Sequence, residues 1–341
     1  MKQPLHTIFA HTFRVLTVVT GIGAFLLVVA MSFPAVLTFD IARNRDASEQ
    51  TPFPVTVDPK NKLIVEDAQV NALLEGSDSP LQAAAANTSN LVGRLFTLLA
   101  VTIADAPWYK SLAAVDARFV NITPGMRKEE VASAFGHVLG WNSAQKKEFL
   151  TKGPYASLPL PEGSYAPGVY SVPGDSTPRI VQALVNDRFS AEVLARYSTS
   201  TAAIVPLNEA LTIASLIERE AGGPDDMRLI SGIIWNRLFL GMHLQIDATL
   251  QYVKGTTSSR SWWPTPVPSD RSRASAYNTY IHAGLPPTPI ASPSVASVIA
   301  ALNPKNTPCL FYFHDRDGGF HCSVTYTEHV QLLKKYYGQG K

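Results

Sequence analysis

Cysteine is nearly absent, with two in 341 residues. That excludes a disulfide-dense scaffold and a zinc site built from four thiolates. Charge is sparse too: 16% of residues, against roughly 25% in an ordinary soluble domain. Lys and Arg number 29 and Asp and Glu 27, so there is no electrostatic case for a nucleic-acid binder. The chain has no Gly-rich phosphate loop, no HExxH pair and no nucleophile elbow around Ser215. No internal repeat is found. What is abundant is apolar: 46% of residues are hydrophobic, enough for a sizeable core and about two domains. Most of the 25 prolines fall between 154 and 308, where they set fixed turns.

From Val15 to Phe39 no charged side chain occurs. About 20 apolar residues cross a bilayer as a helix, so 15–39 reads as a single transmembrane helix. A cleaved signal peptide has a shorter apolar core and a small-x-small site after it, which favours an anchor here. Lys2 and Arg14 precede the segment and Arg43 and Arg45 follow it, so the positive-inside rule gives no direction. Leu95 to Ala104 is too short to span and reads as a buried or interfacial helix.

Residues 40–117 read as a juxtamembrane linker of unclear fold, with a short strand at Leu63-Ile64-Val65. Beyond Ala117 the pattern sharpens. Phe119 to Ile122 alternates like a strand. Lys128 to Leu139 carries apolar residues at helical spacing. Gly163 to Val172 is extended. A helix opens at Ser176-Thr177-Pro178, with an expected apolar face of Ile180, Val181, Leu184 and Val185. These elements, within 118–200, make a small β-α-β-α module. Asn208 is expected to cap the next helix, which stops at Gly222-Gly223-Pro224. Another helix covers about Asp225 to Leu240, and a further one about Ser294 to Leu302. A hairpin, Cys309 to His314 and Phe320 to Thr325, turns through Asp317-Gly318-Gly319. A helix carrying Lys334 and Lys335 closes the chain. The fold class is α+β.

The chemistry concentrates in Ser215-Leu216-Ile217-Glu218-Arg219-Glu220. At 100° per residue the two acids point to different sides of a helix. Glu218 follows Leu211 and Ala214 and is expected beside the packed stripe, where burial raises a carboxyl pKa and suits a proton donor. Glu220 is expected on a solvated arc with Arg219, although spacing alone also allows both acids to be solvated. Downstream, alternation places Gln245 and Asp247 on one face and Leu244 and Ile246 on the other. That suits a cleft wall or an ordinary half-exposed strand. Tyr277, Asn278 and Thr279, with the proline-rigid Gly284 to Ile290 loop, could stack on and bond to carbohydrate. The pairs His314 with His321 and His321 with His329 fit metal ligation or hairpin packing equally.

Taken in order, these blocks resemble a known family. They are Ser215 to Glu220, Asn236-Arg237-Leu238 with Gly241-Met242, Leu244 to Thr249 with Tyr252, Tyr277 to Tyr280, Gly284 to Pro287 with Pro289-Ile290, and His321 with Thr325, Glu328 and His329. Together they resemble the MltG (YceG-like) endolytic murein transglycosylases over about 118–337. Ala248, Ala276 and Thr288 depart from that pattern at two usual prolines and a glycine, and Cys322 at a common aromatic.

The resemblance implies a cytoplasmic N-terminus at 1–14, the anchor at 15–39, a small LysM-like substrate-binding module at 118–200, and a mixed α/β catalytic domain with a sugar-binding cleft at 201–341. It implies a bacterial inner-membrane protein with an extracytoplasmic catalytic domain, acting on peptidoglycan glycan strands without a cofactor or metal. Cell-wall synthesis enzymes are candidate partners. The implied reaction cuts the β-1,4 MurNAc-GlcNAc bond and leaves 1,6-anhydroMurNAc ends, with Glu218 as acid and then base. Asn236, Gln245, Asp247, Tyr277, Asn278 and Thr279 are the implied substrate contacts. A hydrolase using Glu218 and Asp247, and a non-catalytic wall-binding scaffold, stand as alternatives. An extracytoplasmic location permits a disulfide between Cys309 and Cys322, and two buried thiols remain an equal option.

Overall fold

The computed structural model describes residues 52–75, 117–151, 153, 160–255 and 261–338. The expected anchor at 15–39 and the apolar stretch at 95–104 lie outside them. Among the described residues no helix is long and apolar enough to cross a membrane.

Two hydrophobic cores divide the structure. The smaller is built on an antiparallel pair, β3 (Ala117–Ile122) and β4 (Gly168–Pro173), with Val120 opposite Tyr170. Helices α2 (Lys128–Leu139), α3 (Ser143–Thr151) and α4 (Pro178–Glu192) complete it. Its centre is aromatic: Phe135, Trp141, Phe149, Tyr165 and Tyr170 join Val131, Val172, Val181 and Val185. Helix α3 is absent from the sequence reading because its only buried residue is Phe149, too little to make a stripe. The expected apolar face of α4 also needs correction. Val181, Val185 and Phe189 are buried, while Ile180 and Leu184 face outward.

The larger core is helical. Helices α6 (Leu207–Glu220), α7 (Pro224–Phe239) and α9 (Val295–Leu302) pack together, and α8 (Asp247–Lys254) lies against α6. Every residue of α6 from Ala210 to Ile217 is buried. Asn208 does not cap α6. Pro206 occupies that position and Asn208 sits in the first turn, its Nδ2 reaching the Pro287 carbonyl at 3.4 Å. A short helix, α5 (Thr199–Ile204), leads in and is capped by Ser198.

Part of the segment read as linker belongs to this core. Strands β1 (Val57–Asp58) and β2 (Leu63–Ile64) pair antiparallel, helix α1 (Ala68–Glu75) follows, and Phe53, Val57 and Leu74 are buried in the large core. Thr56 N–H donates to Leu302 O at 3.0 Å, and Asn303 Nδ2 to Pro54 O at 2.8 Å.

Last comes the hairpin of β5 (Phe311–His314) and β6 (Phe320–Ser323), covered by α10 (Tyr326–Tyr337). Cys309 and Cys322 are bonded to each other across it. Thr325 and Glu328 form the reciprocal cap of α10, at 3.2 and 3.0 Å, which accounts for both motif positions.

Candidate active site

The site gathers at the C-terminal end of α6. Beyond Glu220 the backbone turns extended at Ala221, passes Gly222-Gly223, and enters α7 at Pro224. Gly222 allows a close approach there: a Cβ on it would stand 3.2 Å from the His314 ring, so the ring would have to give by a few tenths of an ångström. That approach seats β5 against the end of α6. His314 Nε2 pairs with Asp226 Oδ2 at 2.5 Å, and the same oxygen accepts the Gly222 N–H at 2.9 Å.

Both acids are half-buried: Glu218 lies beside the packed stripe as expected, whereas Glu220, expected on a solvated arc, lies against the hairpin. Glu218 points toward α9. Its Oε2 accepts the Ser294 N–H at 2.9 Å, Ser294 Oγ at 2.6 Å and Ser297 Oγ at 2.7 Å. The carboxylate thus ties α6 to the N-terminus of α9, a favourable place for an anion. Glu220 points toward the hairpin. Burial raises its pKa from the ordinary 4.5 to about 7, and the nearby Asp247 charge adds to the rise. The Tyr312 hydroxyl, donating at 2.9 Å, and the Ala248 N–H oppose it. Glu220 is therefore the acid whose proton is held near neutrality, and the solvated setting expected for it is corrected. The cause is long-range: the hairpin covers an arc that α6 alone would leave to water.

Asp247 stands near Glu220, and Gln245 lies two residues before Asp247. Leu244 and Ile246 are buried while Gln245 and Asp247 are exposed, as the alternation predicts. Gln245 has a left-handed backbone, φ 53°, and its N–H donates to Thr279 O at 3.1 Å. Asp247 opens α8, and its Oδ1 accepts the Tyr280 hydroxyl at 2.6 Å. Tyr277 is half-buried. Its ring lies 4.9 Å from that of Tyr252, and its hydroxyl meets Thr288 Oγ1 at 2.7 Å.

Asn236, Asn278 and Thr279 are engaged in holding backbone instead. Asn236 Nδ2 donates to the Thr307 and Cys309 carbonyls, at 2.6 and 3.2 Å. Asn278 is fully buried, and its Nδ2 donates to Arg271 O and Arg273 O at 3.1 and 2.8 Å. Thr279 Oγ1 accepts the Ile246 N–H at 3.0 Å. Asn278 and Thr279 set the shape of the loops that present Gln245, Asp247 and Tyr280, and Asn236 holds the segment that leads into the hairpin.

Tyr312 and Tyr280 were missed by sequence reasoning as partners of the acids. Tyr280 lies within a quoted motif, so a signal existed. Tyr312 sits among aromatic residues of a strand, with nothing local to mark it. The histidine pairs serve packing: His321 Nε2 meets Asp315 Oδ2 at 2.6 Å, and the His329 ring lies 5.6 Å from Phe311.

With a poised carboxyl at a helix end facing a second, exposed carboxylate, the chain falls into a recognised class. It belongs to the YceG-like family, whose model matches residues 100–335. Among its relatives are the endolytic murein transglycosylase of Streptococcus pneumoniae serotype 2 strain D39, 31% identical over 157 residues, covering 45% of this chain and 28% of that protein. The Bacillus subtilis strain 168 protein of the same name is 36% identical over 132 residues, covering 39% of this chain and 35% of that one. The matched region therefore spans about a third or less of these curated relatives' length. In fold the chain is similar to the yceG-like protein lmo1499 of Listeria monocytogenes, solved at 2.6 Å, with a TM-score of 0.54 and 24% identity over 66% of this chain and 80% of that one.

Proposed function

We propose that this protein is a lytic transglycosylase that cuts peptidoglycan glycan strands internally at the β-1,4 MurNAc-GlcNAc bond and leaves 1,6-anhydroMurNAc ends. The observation that carries the reading is the Glu220 carboxyl, raised to about 7 by burial and held by Tyr312 and the Ala248 N–H. The proton-donor role expected at Glu218 is assigned to Glu220 on the strength of that raised pKa, while Glu218 has one oxygen, Oε2, engaged by three donors.

Protonated Glu220 donates to the departing GlcNAc oxygen. The resulting carboxylate is stabilised by the Tyr312 hydroxyl and the Ala248 N–H. It then accepts the proton of the muramic C6 hydroxyl as that oxygen closes on C1. The nucleophile belongs to the substrate and is already adjacent, so its effective concentration is high. Asp247, exposed and bonded to Tyr280, places negative charge where the oxocarbenium-like C1 develops positive charge. Gln245 and Tyr277 position the sugars. The small module at 118–200 is assigned to holding the strand, the segment 15–39 to anchoring the protein in the inner membrane with its catalytic domain outside, and cell-wall synthesis enzymes to supplying new strands.

The test is incubation of the full chain with purified glycan strands and mass spectrometry of the ends. Anhydro ends that vanish in E220Q are expected. A second reading has an observation in its favour: Asp247 is close enough to raise the pKa of Glu220, so the two acids could instead hydrolyse the bond as a pair. Reducing ends in place of anhydro ends would select it. Strand binding without turnover would select a scaffold.

A further inference from the structure

Two arginines lie on aromatic faces near the contact between the small module and the helical core, and their terminal nitrogens fare differently. Arg127 stands 4.1 Å over the Tyr252 ring, and its Nη1 donates to Tyr252 O and Gly255 O at 3.0 and 3.1 Å. Its Nε lies 3.5 Å from Glu129. Through Nη1 Arg127 fastens one module to the other, and its Nε, like that of Arg219, has no hydrogen-bond acceptor.

Arg219 stands 3.9 Å over the Trp263 ring. The indole is itself oriented, because its Nε1–H donates to Glu130 Oε2 at 2.9 Å. That same oxygen accepts the Arg127 N–H at 2.9 Å. Arg219 has five N–H donors in principle. Its Nε is buried without an acceptor, and it forms no ion pair among the described residues. Burial works against its charge, and the fields of Glu130, Glu220 and Glu218 offset part of that cost. Gly125, in the turn after β3, lies close by: a Cβ there would stand 3.1 Å from Nη1. The result is a half-exposed planar cation, held flat by an indole, with open donors and one residue from Glu220. A guanidinium so fixed matches a carboxylate better than an ammonium does.

We propose that Arg219 and Trp263 form an anion subsite beside Glu220 that takes a carboxylate borne by the glycan strand. The proposal rests on the transglycosylase reading and narrows its substrate. In peptidoglycan only the muramic sugar bears such groups, either on its stem peptide or, once the peptide is removed, on its lactyl ether. GlcNAc bears none. Engaging that carboxylate next to Glu220 sets the register of the strand, so that the bond following a muramic residue, and not the alternate β-1,4 bond, meets the acid.

Three strand preparations separate the sources: strands with intact stem peptides, amidase-treated strands with free lactyl carboxylates, and the latter converted to methylamides. Binding is measured by titration calorimetry with the full-chain E220Q protein, so turnover is not needed. At least one carboxylate-bearing strand is expected to bind about tenfold more tightly than the methylamide strand. Tighter binding of the peptide-bearing strand assigns the stem peptide, and tighter binding of the amidase-treated strand assigns the lactyl group. Adding R219Q is expected to erase the preference. R219K, which keeps the charge without the fork, is expected to restore part of it and guards against loss of fold in R219Q. Equal binding of all three strands by the parent, or an equal loss on all three in R219Q, would overturn the subsite. Wild-type protein that shows the preference but leaves no anhydro ends would overturn the transglycosylase reading and leave the subsite standing.

Discussion

The last turn of α6 has two sides, and they use the same residue type for different ends. On the α9 side, Glu218 is surrounded by short, local donors from one capping segment, Ser294 to Ser297. On the hairpin side, Glu220 meets a single phenol and one backbone N–H, near another carboxylate. Three donors on a single oxygen, Oε2, fix how the Glu218 carboxyl is turned. Burial with few donors keeps a proton within reach of neutral pH. The lesson is that burial alone does not mark a reactive acid; what counts is how many donors the burial brings with it.

The sharpest way to break this comparison is to neutralise each acid in turn. E220Q is expected to lower kcat by roughly 10³-fold, within the range of a lost general acid, while E218Q retains most of its turnover. Anhydro-end counting checks both, and the opposite ranking would return the proton to Glu218. The hairpin side is tested next through its covalent closure. Replacing Cys309 and Cys322 by serine opens a loop with a sequence separation of 13, and thermal or denaturant unfolding is expected to show a loss of about 3 kcal/mol. The α9 side is tested by stability. E218Q weakens charge-assisted bonds to Ser294 and Ser297 and is expected to cost about 1–3 kcal/mol in denaturant unfolding.

Smaller effects concern pH. Tyr312 stabilises the charged form of Glu220, so Y312F should raise that pKa above about 7 and move the alkaline limb of the pH-rate profile upward, with only a several-fold fall in kcat. Stability carries the same signature. Between about 4.5 and 7 the folded chain keeps a proton on Glu220 that the unfolded chain has released. Stability must therefore fall as pH rises through that window. Glu162, buried beside Glu129 with its pKa raised to about 8, extends the fall to that pH. Unfolding midpoints that climb between pH 5 and 8 would contradict both.

Much of the fold is legible because it is written in short periods. The stripe of α2 matches Lys128–Leu139, and the alternation around Leu244 and Ile246 correctly turns Gln245 and Asp247 outward. The local cues fail where a distant partner decides. Ser294 and Tyr312 lie 76 and 92 residues beyond the acids they bond. No helical wheel of α6 contains them, so the wheel puts Glu218 beside the packed stripe without its donors and leaves Glu220 to solvent. Asn236, Asn278 and Thr279 mislead in another way. A polar motif residue looks the same whether it grips a ligand or the chain's own backbone, and only the fold shows the backbone partners at 2.6 to 3.2 Å. Ile180 and Leu184 show the converse, apolar residues that the fold leaves outside.

One short stretch, from Ile290 to Ser294, is pinned at successive points. Ile290 N–H donates to Ser215 Oγ at 3.0 Å, Ser292 exchanges backbone bonds with Gly125 and Met126 at 2.8 and 2.7 Å, and Ser294 bonds Glu218. The middle pin belongs to the small module and the outer two to α6. The loop is therefore common to both cores, and the turn after β3 cannot shift without disturbing the segment whose two ends bond the helix that ends in Glu220.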